Sequence, residues 1–198
     1  MKRDLVTHGV LGIELALVCG VAVGLLQLPY VNWHAVVPPV DAQPLTIRHD
    51  AKGDGQFQAP RSGHRLHRGV DVVAPLNSPV RAIRSGRVLE VGEQRGLGRY
   101  VVLQHGEAFR SLYAHLNETR VEAGRRVRQG ALIGLVGKTG NAAHPWIMPH
   151  VHLEVIRDHE PIDPATLGLD IVDPARERAL AQGPLEPAEE ASDGRGGD

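Results

Sequence analysis

The segment 149–155, PHVHLEV, alternates polar and apolar residues and could therefore bring several ligand-type side chains together. Alternate residues of a β-strand share a face, so His150, His152 and Glu154 are expected to point one way and the aliphatic residues the other. Two imidazoles about 7 Å apart along a strand can converge on a metal ion, with one bound to it and the other beside it. Taken alone, the motif is also typical of two partly exposed strand histidines.

A second segment, His67-Arg68-Gly69-Val70-Asp71, holds a histidine and a carboxylate four positions apart. This spacing would place both on one helix face, but the glycine and the β-branched run after it oppose a helix. On a straight strand the two would be about 13 Å apart, so both could reach one ion only if the chain bends. Gly69 permits such a bend. The alternative for Asp71 is a turn or a surface salt bridge.

A third histidine, His115, lies in the alternating segment SLYAHL (111–116) on the face opposite Leu112 and Ala114. It is therefore not simply a core residue, although a half-exposed strand histidine remains an alternative. Imidazole is both a common metal ligand and a general base near neutral pH. The single cysteine, Cys19, excludes a thiolate metal site and a disulfide within the chain, so any metal must be held by His, Asp or Glu.

The elements that must position these residues are short strands. Apolar or β-branched runs bounded by glycine and proline occur at 70–73, 79–91, 100–103, 111–116, 132–136 and 151–155. Strands at this spacing, without a long 3.6-residue periodicity, predict an all-β domain built as an antiparallel sheet or sandwich. We expect this domain to cover residues 56–170.

The flanking segments have different compositions. Lys2 and Arg3 precede an apolar stretch at 10–28, which favours a transmembrane anchor or a signal peptide within residues 1–31, with the rest of the chain outside the cytoplasm. Glu14 fits this interpretation poorly, and a buried soluble helix is a further alternative. The proline-containing residues 32–55 are expected to form a linker, and residues 171–198 to form a disordered tail.

The charge of the chain excludes one class of partner. The formal net charge is −1, so no overall basic field indicates nucleic-acid binding.

Considered together, the motifs resemble the LytM/lysostaphin-type metallopeptidases, peptidase family M23, which have the duplicated hybrid motif fold. The resemblance runs from about 57 to 167 and includes, in the family's order, LHRGVDVVAP, SLYAHL, VRQGALIGLVGKTGN, PHVHLEV and EPIDPATL. It implies one zinc ion per domain in a groove. By the resemblance, the zinc ligands are His67, Asp71 and His152, and the catalytic histidines are His115 and His150.

The resemblance also implies a function. A zinc-bound water would attack the scissile carbonyl with help from two histidines. The expected activity is a zinc-dependent metalloendopeptidase that hydrolyses peptide cross-links or stem peptides of bacterial peptidoglycan. The expected location is the cell envelope, with the domain held at the membrane by the N-terminal segment or secreted if that segment is cleaved. Regulatory protein partners would be compatible with this activity.

Two alternatives come from other functional classes. A non-catalytic domain of the same fold could bind and activate another wall hydrolase, but such domains usually lack several site residues, whereas all five are present here. A lipoyl-like carrier is suggested by the glycine-spaced segment VRQGALIGLVGKTG. Lys138 does not stand at the expected hairpin tip, however, and a carrier would not explain the histidine motifs.

Overall fold

The computed structural model describes residues 16–32 and 35–182 of the 198-residue chain. Helix α1 covers residues 16–27 and α2 covers Pro174–Gln182, while short 3-10 helices lie at Leu28–Tyr30, Gly140–Ala143 and Pro164–Leu167. The strands are β1 (Leu45–Thr46), β2 (His49–Asp50), β3 (Gly53–Asp54), β4 (Pro60–Arg61), β5 (Arg65–Leu66), β6 (Val70–Val73), β7 (Pro79–Arg81), β8 (Gly86–Gln94), β9 (Gly98–Gln104), β10 (Phe109–Leu116), β11 (Glu118–Thr119), β12 (Arg126–Val127), β13 (Leu132–Leu135), β14 (His150–Arg157), β15 (Glu160–Ile162) and β16 (Ile171–Val172).

The main sheet has seven strands in the order β12-β8-β9-β10-β14-β15, with β6 also paired to β14. All of its pairings are antiparallel. Strand β10 covers one edge of β14, while β6 and β15 share the other edge, so the first six residues of β14 are all buried. The paired-histidine segment is therefore an interior strand, and its side chains are held by neighbours on both sides.

A second sheet, β11-β13-β7, contributes to the same hydrophobic core as the main sheet. Tyr113 and Leu153 from the main sheet, and Val80 and Ile133 from the smaller one, are completely buried. Full burial of an aliphatic side chain contributes roughly 1.5–3 kcal/mol, so the two sheets stabilise each other chiefly through this shared core. The prediction of a mostly antiparallel β domain is confirmed, with one parallel pair, β1-β16, as an addition.

The prediction of a linker at 32–55 is wrong for most of that range. Val40, Leu45 and Ile47 are buried in the core, and strands β1, β2 and β3 form within the segment. Leu45 pairs with Ile171, and the Arg48 amide donates to the carbonyl of Asp71 at 2.9 Å. The prolines suggested an open chain, but the alternation of aliphatic residues after them is what packs against the domain.

The predicted disordered tail, 171–198, is corrected in its first part. Residues 171–182 form β16 and α2, and residues 183–198 lie outside the described part of the chain. Asp173 caps α2 by accepting from the amides of Ala175 and Arg176 at 3.0 and 3.2 Å, and it also bonds His49 at 2.7 Å. Residues 171–182 attach to the domain through backbone pairing and a helix cap. Neither of these interactions requires a periodic pattern of apolar residues, so the sequence shows none.

The predicted N-terminal anchor is only partly within the described residues. Residues 1–15, with Lys2 and Arg3, lie outside them, and residues 16–27 form an exposed helix. Among the described helices, none combines the length and apolar character needed to cross a bilayer.

Candidate metal centre

Three ligand-type atoms meet at the buried end of a groove. His67 Nε2 lies 2.9 Å from His152 Nδ1 and 3.1 Å from Asp71 Oδ1, and the last two atoms are 2.9 Å apart. The three side chains are all buried, and together they form a group that could hold a metal ion. The structure thus brings His67, Asp71 and His152 to one point.

Strand pairing explains how Asp71 and His152 meet. Asp71 on β6 stands directly opposite His152 on β14, so two residues 81 positions apart are cross-strand neighbours. Gly69, just before β6, is needed for close approach rather than for an unusual dihedral angle, because a Cβ there would lie 2.2 Å from the carbonyl oxygen of Leu153. His67 lies at the end of the β4-β5 hairpin, where its amide donates to Ala59 at 2.9 Å.

A hydrogen bond orients the His67 ring, and a carboxylate lies behind the His152 ring. The Nδ1–H of His67 donates to the carbonyl of Gln56 at 2.8 Å, so Nε2 is the ring atom that faces Asp71 and His152. On the far side of the His152 ring, Nε2 lies 3.9 Å from a Glu154 carboxylate oxygen. A carboxylate or carbonyl behind a metal-ligating histidine is the usual arrangement, because it sets the tautomer and the ring orientation.

The donor set fits zinc. Bonds of about 2.0–2.1 Å in a tetrahedron place neighbouring ligand atoms about 3.3 Å apart, and the three distances here, 2.9, 2.9 and 3.1 Å, differ from this by a few tenths of an ångström. Two imidazole nitrogens and one carboxylate oxygen are zinc-type ligands that leave a fourth position open. The residues present therefore fit a catalytic zinc ion.

Two further histidines lie beside this group. His115 adopts a left-handed backbone conformation, with φ of 62°, where the register between β9 and β10 shifts. A bulge of this kind can redirect a side chain, and such strained positions are concentrated at functional sites. The ring of His115 lies 4.9 Å from that of His150 and 6.0 Å from that of His152. The structure thus places all five predicted site residues in one cluster.

His115 and His150 are held in the same tautomer. The Nδ1–H of His115 donates to the carbonyl of Thr139 at 2.9 Å, and that of His150 donates to Met148 at 2.7 Å. In each ring Nε2 is left as the proton acceptor, and His150 Nε2 lies 3.9 Å from Asp71 Oδ1. The loop that carries Thr139 lies against Gly98, which leaves room for it because glycine has no side chain. A Cβ at position 98 would lie 2.1 Å from Thr139 Oγ1.

Burial and neighbouring charges shift the pKa values of the histidines in opposite directions. Burial lowers the pKa of His115 to about 3 and also lowers that of His150, so both are neutral at pH 7. Burial alone would lower the pKa of His152 as well, but Asp71 and Glu154 outweigh it and raise that pKa to about 9. Burial alone would raise the pKa of Asp71, but hydrogen bonds with His152 and His67 hold it well below its usual value.

A buried ion network lies behind the carboxylate of Asp71. Arg48 Nη2 contacts the second oxygen, Oδ2, at 3.0 Å, so Oδ1 remains directed at the histidines. Arg48 Nη1 also contacts Asp50 at 2.6 Å, and Asp50 accepts from the amide of Met148 at 3.2 Å. Because the Met148 carbonyl holds His150, this network connects a ligand-type carboxylate to a neighbouring histidine.

The cluster opens into a groove of about 920 Å³. Its lining includes five cationic side chains from the segment 48–68: Arg48, Lys52, Arg61, Arg65 and Arg68. The lining residues from 94–97 and 141–147 are uncharged: Gln94, Gly96, Leu97, Asn141, Ala142 and Ile147. Trp146, in the bulky loop before β14, is largely exposed, at 71%.

Sequence reasoning missed the supporting roles of two residues. Alternation placed Glu154 on the strand face of His150 and His152 but did not identify it as the residue behind His152. Arg48 offered no such signal, because it lies in the segment that the prolines suggested was a linker.

A comparison with known families decides the identity of the domain. The sequence profile of Peptidase family M23 matches residues 65–164, a span of 100 residues in a chain of 198. The chain belongs to peptidase family M23. The matched span contains His67, Asp71, His115, His150 and His152, whereas Arg48 and Arg61 lie before it.

Two named relatives each match about half of this M23 chain. DD-carboxypeptidase/endopeptidase Mpg of Neisseria meningitidis serogroup B is 37% identical over 105 residues, which are 53% of this chain and 23% of Mpg. Peptidoglycan DD-endopeptidase ShyB of Vibrio cholerae is 32% identical over 105 residues, which are 53% of this chain and 24% of ShyB. These matches span about a quarter of each relative's length.

A solved structure supports the fold. The crystal structure of a zinc-containing peptidase from Vibrio cholerae aligns with a TM-score of 0.53 and 27% identity, covering 67% of this chain and 39% of that one.

Proposed function

We propose that the chain is a zinc-dependent metalloendopeptidase that hydrolyses peptide cross-links or stem peptides of bacterial peptidoglycan. The observation that carries the proposal is the convergence of His67, Asp71 and His152 beside two neutral histidines in an open groove. The named activities of Mpg and ShyB support the substrate class.

The ligands would be His67 through Nε2, His152 through Nδ1 and Asp71 through Oδ1. Zinc held there would activate water and polarise the scissile carbonyl. The Gln56 carbonyl holds the His67 ring by a hydrogen bond, and the Glu154 carboxylate lies behind the His152 ring. Arg48 neutralises the remaining carboxylate oxygen, so Asp71 is buried without an unpaired charge.

His115 and His150 would carry the proton transfers. Each ring donates its Nδ1–H to a carbonyl and therefore offers Nε2 as a base. As water adds to the scissile carbonyl, one Nε2 accepts its proton. The imidazolium then donates that proton to the leaving amine as the C–N bond breaks, and the second ring accepts a hydrogen bond at its own Nε2 and so helps to orient the attacking water.

We propose the bacterial cell envelope, outside the cytoplasmic membrane, as the site of action. The substrate lies there, and the basic residues Lys2 and Arg3 before the apolar stretch at 10–28 have the order of an exported segment. Whether that segment anchors the chain or is cleaved would be answered by topology reporters fused after Leu28 and by N-terminal sequencing of the mature protein.

The test uses the full-length chain and cross-linked wall fragments. We expect about one zinc per chain, cleavage that stops when a chelator removes the zinc, recovery when zinc is returned, and products whose masses identify a hydrolysed peptide bond. A zinc-loaded, folded chain that binds the fragments without cleaving them would refute the hydrolase and favour the activator alternative.

A further inference from the structure

The lining of the groove carries more positive than negative charge. Segment 48–68 contributes five cations, the lining residues from 94–97 and 141–147 contribute no charge, and the carboxylates that line the groove are Asp71 and Glu154. The chain has a formal net charge of −1, so this is a local excess and not a general property of the surface.

Two of the five cations are already paired. Arg48 is buried between Asp50 and Asp71, and Arg68 Nε donates to Glu154 at 2.9 Å. Arg48 therefore balances the charges of Asp50 and Asp71, and Arg68 balances the charge of Glu154. The excess of charge lies on the remaining three, of which two belong to the β4-β5 hairpin.

Arg61 and Arg65 are those two hairpin residues. Arg61 Nη1 donates to the Pro60 carbonyl at 3.3 Å, and Arg65 Nε donates to the Ser62 carbonyl at 3.2 Å. Within the described residues, the one carboxylate within 4 Å of either guanidinium is Asp71, whose Oδ2 lies 3.6 Å from Arg61 Nη2. That oxygen is held more closely by Arg48, at 3.0 Å.

The position of Arg61 places an under-paired guanidinium next to the reaction centre. Its side chain is 25% exposed and lines the groove. Burial lowers the pKa of Arg61, and the attraction of Asp71 offsets this only in part. A planar guanidinium in such a place can bind a carboxylate through two parallel hydrogen bonds.

We propose that Arg61, assisted by Arg65, forms a subsite that binds a carboxylate of the substrate peptide beside the scissile bond. The inference rests on the proposed function and adds the charge of the substrate to it. The peptide would lie along the groove with an acidic group toward the β4-β5 hairpin and its uncharged part against the uncharged lining residues Leu97, Ala142 and Ile147. Arg61 would thereby position the scissile carbonyl over the ligand cluster.

The experiment compares two substrates on four proteins. The substrates are a stem-peptide dimer with free carboxylates and the same dimer with its carboxylates converted to carboxamides. The proteins are the full-length chain, Arg61→Gln, Arg61→Lys and Arg125→Gln. Arg125 is exposed and does not line the groove, so its variant removes one positive charge elsewhere.

We expect Arg61→Gln to lower kcat/KM for the carboxylate dimer by about 10- to 100-fold, the effect of losing a charge-assisted hydrogen bond. For the amidated dimer it should change little, so the preference for the carboxylate collapses. Arg61→Lys, which keeps the charge but not the fork, should restore part of the preference. Arg125→Gln should behave like the unaltered chain.

Zinc content and direct binding keep this result independent of the catalytic proposal. Zinc is measured in every variant, because loss of zinc from Arg61→Gln would reveal an effect through Asp71. Binding of both dimers is measured by calorimetry, so the subsite is tested even if the chain cleaves neither. Equal losses for both dimers, or no loss of binding or turnover for the carboxylate dimer, would overturn the proposal.

Discussion

Strand β14 and the segment 45–61 both build the candidate metal centre, but they do so in different ways. Strand β14 supplies His150 and His152 from one interior strand, where alternation alone directs them to a common face. The segment 45–61 supplies Arg48 and Arg61, whose roles depend on where the segment packs. The comparison teaches that the groups expected to do chemistry can lie on a regular element while the groups that orient and balance them come from irregular ones.

The largest expected effect concerns β14. His152→Ala removes a proposed ligand and should leave the purified chain with little zinc, whereas His150→Ala should keep its zinc and lower turnover by about 10²–10⁴-fold, as for loss of a general base. Zinc content and turnover at saturating zinc distinguish the two variants. His144→Ala, in the preceding loop, is the control. If His150→Ala loses the metal and His152→Ala retains it, the two roles are reversed.

The next effect tests whether the segment 45–61 belongs to the domain. Leu45 is fully buried, so Leu45→Ala should lower the free energy of unfolding by about 2–5 kcal/mol through lost burial and a cavity. Chemical denaturation measures it. Leu89→Ala, at a position 49% exposed, should change stability far less. Similar, small changes in both variants would mean that the segment is a linker after all.

A smaller effect is expected behind the ligand carboxylate. Arg48→Met leaves Asp71 Oδ2 and Asp50 without their shared partner, and zinc affinity should fall by about 10- to 100-fold, as for other residues that support metal ligands. The zinc affinity of Arg48→Lys should lie between those of the unaltered chain and Arg48→Met. Lysine keeps the positive charge but bridges the two carboxylates less well than arginine. Affinity is measured by competition with a chelator, and Arg87→Met, at an exposed position, is the control. Tighter zinc binding in Arg48→Met would show that Arg48 acts mainly as a repelling charge.

The smallest effect concerns the C-terminal helix that packs near the same segment. Asp173→Ala removes the cap of α2 and the bond to His49 and should lower the free energy of unfolding by about 0.5–2 kcal/mol at pH 7. Burial alone would raise the pKa of Asp173, but the Arg176 amide and His49 lower it. The stabilisation is therefore present above about pH 4 and lost as the pH falls through the folded-state pKa.

Chemical denaturation of the unaltered chain and of Asp173→Ala at pH 7 and near pH 3 measures the difference in their free energies of unfolding. This difference should be smaller at the lower pH. Asp170→Ala is the control. A difference that stays constant across that range would mean that the ionised carboxylate contributes nothing.

The sequence predicted the ligand-type residues and the antiparallel β domain because both leave local traces. The alternation of polar and apolar residues at 150–155 follows from strand geometry. It can be recognised in these six residues alone, without knowing which residues pack around them. The same locality explains the two errors. Residues 35–55 and 171–182 are held by a two-residue parallel pairing, a helix cap and a few buried aliphatic side chains. The alternation of Leu45 and Ile47 is too short to predict a strand from the sequence.

Sequence alone determined which residue types were available for chemistry and which of them share the face of β14. Tertiary structure decided the rest: the register that sets Asp71 opposite His152, the left-handed bend that turns His115 into the cluster, and the placement of Arg48 behind Asp71. Each of these depends on contacts between residues far apart in the chain. Their energies are realised only once the sheet has closed, so no local pattern in the sequence can specify them.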